Sequence, residues 1–130
     1  MRLENFILNY CHLTREQLSV LFRAIQESTH SKLRTLNVRF NNLSLVAPDI
    51  LVDALARLEM VDLYSTNLTT VQLTEIYRLV AERRSRTLRV MDIRHNNISS
   101  VPASLRSKAR ENQGVEILLR LDITLPTSRY

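Results

Sequence analysis

Residues 33–43 read LRTLNVRFNNL, with apolar residues at the first, fourth, sixth and eleventh positions and an asparagine at the ninth. Residues 88–98 repeat this spacing with conservative apolar replacements. Residues 58–68 and 3–13 repeat it again, with Thr66 and Cys11 at the ninth position. The steps between the four copies are 30, 25 and 30 residues. A spacing that recurs over most of the chain predicts a series of similar structural units.

The spacing also predicts the shape of each unit. The fourth and sixth positions are two residues apart, so their side chains point to the same side of a short strand. The ninth residue then turns inward, where its side chain can hydrogen-bond backbone groups that leave the strand. Units of this length have room for a helix that returns to the start. Because one unit cannot bury its apolar face alone, stacked units must share a continuous core.

The motif resembles the leucine-rich repeat, and the long units resemble its ribonuclease-inhibitor-like class. Steps of 30 and 25 residues form a 55-residue superrepeat, in which Arg39 returns as Arg94 and Gln17 returns as Gln72. The runs NNLSLVAP at 41–48 and LEMVDLYSTNLTTVQ at 58–72 resemble tandem arrays in animal leucine-rich-repeat proteins. The resemblance implies an α/β fold, a right-handed solenoid with a parallel β-sheet on its concave face and α-helices on its convex face. Four full repeats and a terminal strand near 115–123 are expected.

Local signals predict where the returning helices begin. Thr14 with Gln17, and Thr69 with Gln72, match the capping box that starts a helix. Pro48 suits the first turn of a shorter helix in the second repeat. The fourth helix, expected over 103–110, has few apolar residues.

Residues 1–125 are predicted to form a single leucine-rich-repeat domain, followed by a frayed tail at 126–130. The first motif begins at Leu3 and the terminal strand is apolar, so neither end carries a polar cap. Two interpretations follow: the chain is a fragment of a longer array, or it forms a homo-oligomer through its terminal strands. No apolar run is long enough to span a membrane, and no signal peptide is visible. The single cysteine favours a reducing, cytoplasmic location.

The formal net charge of +5 is concentrated in the second half of the chain. Residues 78–130 hold 11 basic and 5 acidic residues, whereas residues 1–77 hold 7 and 8. Nucleic-acid binding is one interpretation of this basic half. The simpler interpretation is a solvated surface, since the basic residues do not alternate with aromatic ones. Nucleic acid is therefore not a favoured partner.

No catalytic, metal or cofactor site is predicted. Cys11 occupies the asparagine position and is better explained as a buried structural thiol than as a nucleophile. The three histidines lie in different repeats without ligand spacing, and the single glycine excludes a phosphate-binding loop. Three glycosylation sequons restate the turn of the repeat.

The intervening positions of the motif should point out from the concave sheet. Adjacent strands lie about 4.8 Å apart, so aromatic and arginine side chains there should form one exposed patch. Tyrosine and arginine are common in interface hot spots, although cross-strand packing alone would also explain them. The predicted partner-binding residues are Tyr10, Asn37, Arg39, Phe40, Asp62, Tyr64, Asp92, Arg94 and His95.

The predicted function is non-enzymatic recognition of a protein partner on this face. The resemblance suggests settings such as NACHT-type receptors or scaffold proteins. The alternative is a structural scaffold that self-associates through its uncapped ends. A third hypothesis, regulation of a GTPase as in longer leucine-rich GTPase-activating proteins, lacks a matching arginine motif.

Overall fold

A computed structural model describes residues 5–8, 12–27 and 33–118, and these form an alternating series of strands and helices. The strands pair in parallel and in chain order, which gives one five-stranded sheet. The helices pack against one another in the same order, so each repeat contacts its neighbours. The α/β solenoid expected from the sequence, with one parallel sheet and helices between its strands, is confirmed. The strands are β1 (Asn5–Ile7), β2 (Thr35–Asn37), β3 (Met60–Asp62), β4 (Val90–Asp92) and β5 (Glu116–Leu118). The helices are α1 (Arg15–Glu27), α2 (Pro48–Leu55), α3 (Thr70–Ala81) and α4 (Ala103–Arg110), with a 3₁₀ turn at Ile98–Ser100.

The strands are short because each repeat leaves the sheet at the same point. Phe40, Ser65 and His95 occupy equivalent positions in the second, third and fourth repeats, and all three adopt positive φ, of 65°, 51° and 59°. A left-handed residue cannot continue a strand. The backbone of each of these repeats therefore turns toward its helix three residues after the last paired residue of its strand.

The core lies between the sheet and the helices. The register aligns Leu36, Val61 and Met91, all of which are fully buried. The helices contribute apolar residues at helical spacing, and each buried side chain of this size contributes about 1.5–3 kcal/mol. Among the largest fully buried side chains from the helices are Leu18, Phe22, Leu51, Leu55, Leu73, Ile76 and Tyr77.

Asparagine side chains connect consecutive repeats. The Nδ2 group of Asn41 donates to the carbonyls of Leu8 (2.8 Å) and Val38 (3.1 Å). Its Oδ1 accepts from the backbone N–H of Leu13 at 3.1 Å. One side chain therefore satisfies backbone groups of two repeats, as the motif predicted.

Asn96 makes the same contacts one superrepeat later. Its Nδ2 donates to the carbonyls of Leu63 (2.9 Å) and Ile93 (3.2 Å), and its Oδ1 accepts from the N–H of Leu68 at 2.9 Å. Thr66, at the equivalent position between them, donates only to the carbonyl of Leu63, at 2.8 Å. The threonine repeat thus depends on other groups for its connection to the second repeat.

Gln72 supplies that connection. Its side chain is fully buried, and its Nε2 donates to the carbonyls of Leu43 and Val46, both at 2.8 Å. The same side chain completes the capping box of α3, since its Oε1 accepts from the N–H of Thr69. The predicted capping box of Thr14 and Gln17 is also present at α1.

Two further predictions from the sequence, for Pro48 and for α4, agree with the structure. Pro48 opens α2 as predicted. In α4 only Ala109 is buried, as expected for a helix poor in apolar residues. Cys11, the tail at 126–130 and the remainder of the terminal strand lie outside the described residues. No helix within the described ranges is long and apolar enough to cross a membrane.

Replacing the bridging asparagine of the fourth repeat should destabilise the fold. Asn96→Ala removes the acceptor of the Leu68 N–H and the side-chain donor to the Ile93 carbonyl, while the Leu63 carbonyl keeps its bond from Thr66. We expect a loss of about 2–4 kcal/mol in the free energy of unfolding. Urea denaturation measures it.

The neighbouring Asn97 is the matched control, because its side chain is exposed and bonds only locally to Ser99 among the contacts that the structure describes. Asn97→Ala should change the unfolding free energy by less than about 0.5 kcal/mol. Equal losses from the two substitutions would contradict the bridging role.

Candidate functional site

A cluster of polar and aromatic side chains lies on the face of the sheet opposite the helices, the concave face. Its floor consists of Asn37, Asp62 and Asp92, the last residues of β2, β3 and β4, which are aligned by the strand register. The residues two and three positions later lie over this floor. We call the whole set the concave cluster, and its upper members are Arg39, Phe40, Tyr64, Arg94 and His95.

The floor residues fix the backbone that follows them. The Oδ1 atoms of Asn37, Asp62 and Asp92 each accept from the N–H two residues later, at 3.2, 3.0 and 3.1 Å respectively. These side-chain bonds form turns of the kind that asparagine and aspartate favour. They hold the chain immediately before the left-handed residues that end each strand.

Two arginines neutralise the buried carboxylates. Arg94 binds Asp92 through two parallel bonds, Nε to Oδ1 at 3.0 Å and Nη2 to Oδ2 at 2.7 Å. Arg39 reaches across to the next strand, where its Nη2 lies 2.8 Å from Oδ2 of Asp62 and 3.6 Å from Oδ2 of Asp92. Both carboxylates are fully buried. The network therefore links three strands and leaves no net charge among these four groups.

Burial and pairing shift two pKa values in this network. Burial raises the pKa of the Asp62 carboxyl, an effect that the Tyr64 N–H and the Arg39 guanidinium oppose only in part. The hydrogen bonds to the Asp92 carboxylate raise the pKa of Arg94. Arg94 therefore stays charged at all physiological pH values, whereas Asp62 is the group whose charge is least favoured.

Tyr64 lies at the centre of the exposed part of the cluster. The guanidinium carbons of Arg39 and Arg94 lie 4.8 and 5.3 Å from its ring centroid, within the range of cation–π attraction. The ring of Phe40 is 5.3 Å away on one side and that of His95 is 4.8 Å away on the other. The tilted rings, at 60° and 47°, have the geometry that aromatic pairs prefer.

The structure brings together eight of the nine predicted site residues, but it corrects their exposure. Asn37, Asp62, Asp92 and Arg94 were expected to point into solvent, and they are 8%, 0%, 0% and 7% exposed. They lie on the predicted face, but long arginine side chains and their own turns cover them. Phe40, Tyr64 and Arg39 are half-buried and His95 is exposed. Tyr10 lies outside the described residues.

The sequence also contains a signal for the ion pairs. Asp92 and Arg94 are two residues apart, so their side chains share one face of a strand, and a parallel register repeats such pairs on neighbouring strands. The pairing of Arg39 with Asp62 follows from the same alignment. Opposite charges at this spacing on adjacent strands predict a network.

A groove at the other end of the strands was also missed. It has a volume of about 710 Å³ and lies on the same face of the sheet. Met60 and Val90 line it and are nearly buried, and charged side chains surround them. Arg34 pairs with Glu59 across it, with Nε 2.5 Å from Oε2. The remaining charged lining residues are Arg89 and Glu116.

Within the described ranges, no group of three histidine, cysteine, aspartate or glutamate side chains could hold a metal ion. The carboxylates of the concave cluster are already occupied by guanidinium groups. The arrangement offers aromatic edges and fixed cations for contact with another molecule.

The pKa shift of Asp62 predicts a pH dependence of stability. The folded protein holds the Asp62 proton more tightly than the unfolded chain, whose pKa is near 3.8. The contribution of Asp62 to stability therefore becomes more favourable as pH falls through the raised folded-state pKa. Asp62→Asn removes this titration and retains an acceptor for the Tyr64 N–H, as Asn37 does in β2. We expect the wild type to gain stability relative to Asp62→Asn between neutral pH and about pH 4, measured by urea denaturation.

Glu16 provides a control of opposite sign. A backbone hydrogen bond at the start of α1 lowers the pKa of this exposed carboxyl, with Arg15 adding to the effect. The wild type should therefore lose stability relative to Glu16→Gln as pH falls through the lowered folded-state pKa. If the wild type instead lost stability relative to Asp62→Asn between neutral pH and about pH 4, the raised pKa of Asp62 would be contradicted.

Comparison with known proteins identifies the repeats. A family model described as Leucine Rich Repeat matches residues 32–53 and 87–107. These are the second and fourth copies of the motif, in which Asn41 and Asn96 occupy the ninth position. Searches of curated proteins and of solved structures find no match. The two matched repeats and the coiled order of strands and helices together support a leucine-rich-repeat protein, folded as an α/β solenoid.

Proposed function

We propose that the chain is a non-enzymatic recognition module that binds a protein partner on its concave face. Leucine-rich repeats are generally protein–protein interaction modules. The observation that carries this proposal is the position of Tyr64, half-buried between two guanidinium groups that buried carboxylates hold in place.

Preorganisation is the physical basis of the proposal. A free arginine or tyrosine loses rotamer entropy when a partner immobilises it, at about 0.5–1.5 kcal/mol for each side chain. Here Arg94 has two bonds to Asp92, and Tyr64 contacts four side chains before any partner arrives. Binding would therefore require little further ordering at the centre of the face.

The charge balance indicates the class of partner. The guanidinium groups of Arg39 and Arg94 are matched by Asp62 and Asp92, so the cluster carries no excess of positive charge. Nucleic-acid binding depends mainly on neutralising phosphates with unmatched cations. A protein segment that contacts aromatic rings and shares hydrogen bonds fits this surface better than a nucleic acid does.

The groove at the other end of the strands extends the same face. Met60 and Val90 form an apolar floor there, with Arg34 and Glu59 beside them. A stable interface takes about 20–30 residues from each partner, more than the eight residues of the concave cluster. We therefore propose that a partner covers both the cluster and the groove, in the reducing cytoplasmic setting that the single cysteine favours.

Tyr64→Ala is the decisive substitution. Partners captured from cell extract by the wild-type protein should be identified, and one should then be purified for titration calorimetry. Truncation of a central aromatic residue of an interface costs 2 kcal/mol or more, so we expect the dissociation constant to rise at least about 30-fold. Circular dichroism should show that the variant is folded.

Val71→Ala is the matched control, because Val71 is 61% exposed on α3, away from the sheet. It should leave the dissociation constant within about twofold. A partner whose affinity depends on Val71 and is unchanged by Tyr64→Ala would overturn the assignment of the face. Light scattering over a wide concentration range tests self-association separately. A dimer that persists in Tyr64→Ala would show that two copies contact each other through a surface other than the concave cluster.

A further inference from the structure

One side of α1 corresponds, residue for residue, to the side of α3 that contacts the second repeat. The 55-residue superrepeat aligns α1 with α3 and pairs Gln17 with Gln72, Leu21 with Ile76, and Ala24 with Leu79. Residues three, four and seven positions apart lie on one side of a helix. We call the exposed set on this side of α1 the α1 flank, and it consists of Gln17, Val20, Leu21 and Ala24.

In the third repeat, the corresponding side of α3 is covered. Gln72 is fully buried, and its Nε2 donates to the carbonyls of Leu43 and Val46 in the second repeat, both at 2.8 Å. Ile76 and Leu79, on the same side of α3, are 0% and 2% exposed. Since α2 packs against α3, the second repeat supplies both the carbonyl acceptors and the apolar cover.

The α1 flank has the same kinds of groups in contact with solvent. The Oε1 of Gln17 accepts from the Thr14 N–H at 2.9 Å, as in the capping box of α3. Gln17 is nevertheless exposed, and its Nε2 makes no hydrogen bond to any residue that the structure describes. Val20 is 67% exposed, Ala24 is exposed and Leu21 is only half-buried. An apolar stripe beside an unused amide donor is what α3 presents to the second repeat.

The correspondence identifies the kind of repeat that fits the α1 flank. The repeats with long helices, at 3–32 and 58–87, correspond to each other, and the one at 58–87 packs on the short repeat at 33–57. The acceptors of Gln72 are backbone carbonyls, which another short repeat would present at the same positions. We propose that the α1 flank is a docking surface for a further leucine-rich repeat of the short type, carried by a partner protein.

A second copy of this chain is a poorer occupant. Its short repeat at 33–57 already lies between two long repeats. In its other short repeat, β4 is already paired with β5, and α4 has Arg106 and Arg110 at the positions of two fully buried leucines of α2. These leucines are Leu51 and Leu55. The second short repeat therefore does not reproduce the apolar contacts of α2, and a different protein is the better fit.

A tethered short repeat tests the fit. A copy of residues 33–57 is joined directly to Leu3, which keeps the motif spacing because residue 57 is followed in the chain by the motif residue Leu58. Gln17→Glu keeps an acceptor for the Thr14 N–H and removes the amide donor. It should lower the Tm of the extended chain by at least about 5 °C, because a carboxylate is then buried against two carbonyls. It should lower the Tm of the unextended chain by less than about 1 °C.

Ala24→Leu tests the apolar part of the flank in the opposite direction. It introduces the leucine that α3 has at the corresponding position, Leu79. It should raise the Tm of the extended chain by at least about 3 °C, because the added side chain is buried against the tethered repeat. In the unextended chain the added side chain stays exposed, so the Tm should change by less than about 1 °C.

A copy of the long repeat at 58–87, joined to Leu3 in the same way, is the matched control. Neither substitution should acquire its larger effect in that chain. Equal effects of Gln17→Glu with and without the tethered short repeat would overturn the docking surface, and equal effects with the long and short copies would overturn the choice of repeat. Light scattering of the unextended chain tests the occupant: a dimer that Gln17→Glu disrupts would overturn the assignment to a different protein.

Discussion

The coil depends on one recurring interaction, the side-chain amide that satisfies backbone groups of two consecutive repeats. Where the backbone of each repeat leaves its strand, its carbonyl and N–H groups turn inward, away from water. A buried backbone group without a hydrogen-bond partner is costly. Asn41 and Asn96 meet this need with two donors and one acceptor. Thr66 has one donor, and the amide of Gln72 supplies the other bonds from α3. The 55-residue superrepeat therefore alternates two ways of satisfying the same backbone groups, one through an asparagine and one through a threonine with a glutamine.

The same stacking creates the concave cluster. A parallel sheet in register places equivalent residues of successive repeats in rows, about 4.8 Å apart. Asp62 and Asp92 thus become neighbours, and two buried carboxylates repel each other unless cations lie between them. Arg39 and Arg94 fill that need from positions two residues later in the motif. The cations that neutralise the row also support the ring of Tyr64, so the repeat geometry produces a rigid surface.

The sequence predicted features that depend on short-range patterns. The strand positions, the bridging Asn41 and Asn96, the capping box at Thr69 and the span of α4 all follow from spacing within one or two repeats. Their backbone partners are fixed by the repeat itself, so no knowledge of distant side chains was needed.

The predictions of side-chain exposure were wrong, because exposure depends on the lengths of neighbouring side chains. Strand alternation gave the correct face for Asp62 and Asp92, but not their burial, because exposure depends on what lies above a side chain. An aspartate side chain is short, and the longer arginine side chains cover it: Arg94, two residues later, pairs with Asp92, and Arg39 from the neighbouring repeat pairs with Asp62.

The net charge of the chain does not describe its concave cluster. In the concave cluster Arg39 and Arg94 are opposed by Asp62 and Asp92, because aligned strands place complementary residues side by side. The outer surface of α4 has no such alignment, so Arg106, Lys108 and Arg110 accumulate without acidic residues between them. A basic chain can thus combine a cluster with balanced charges and a separate cationic helix. Total charge and local charge are therefore separate properties of such a repeat.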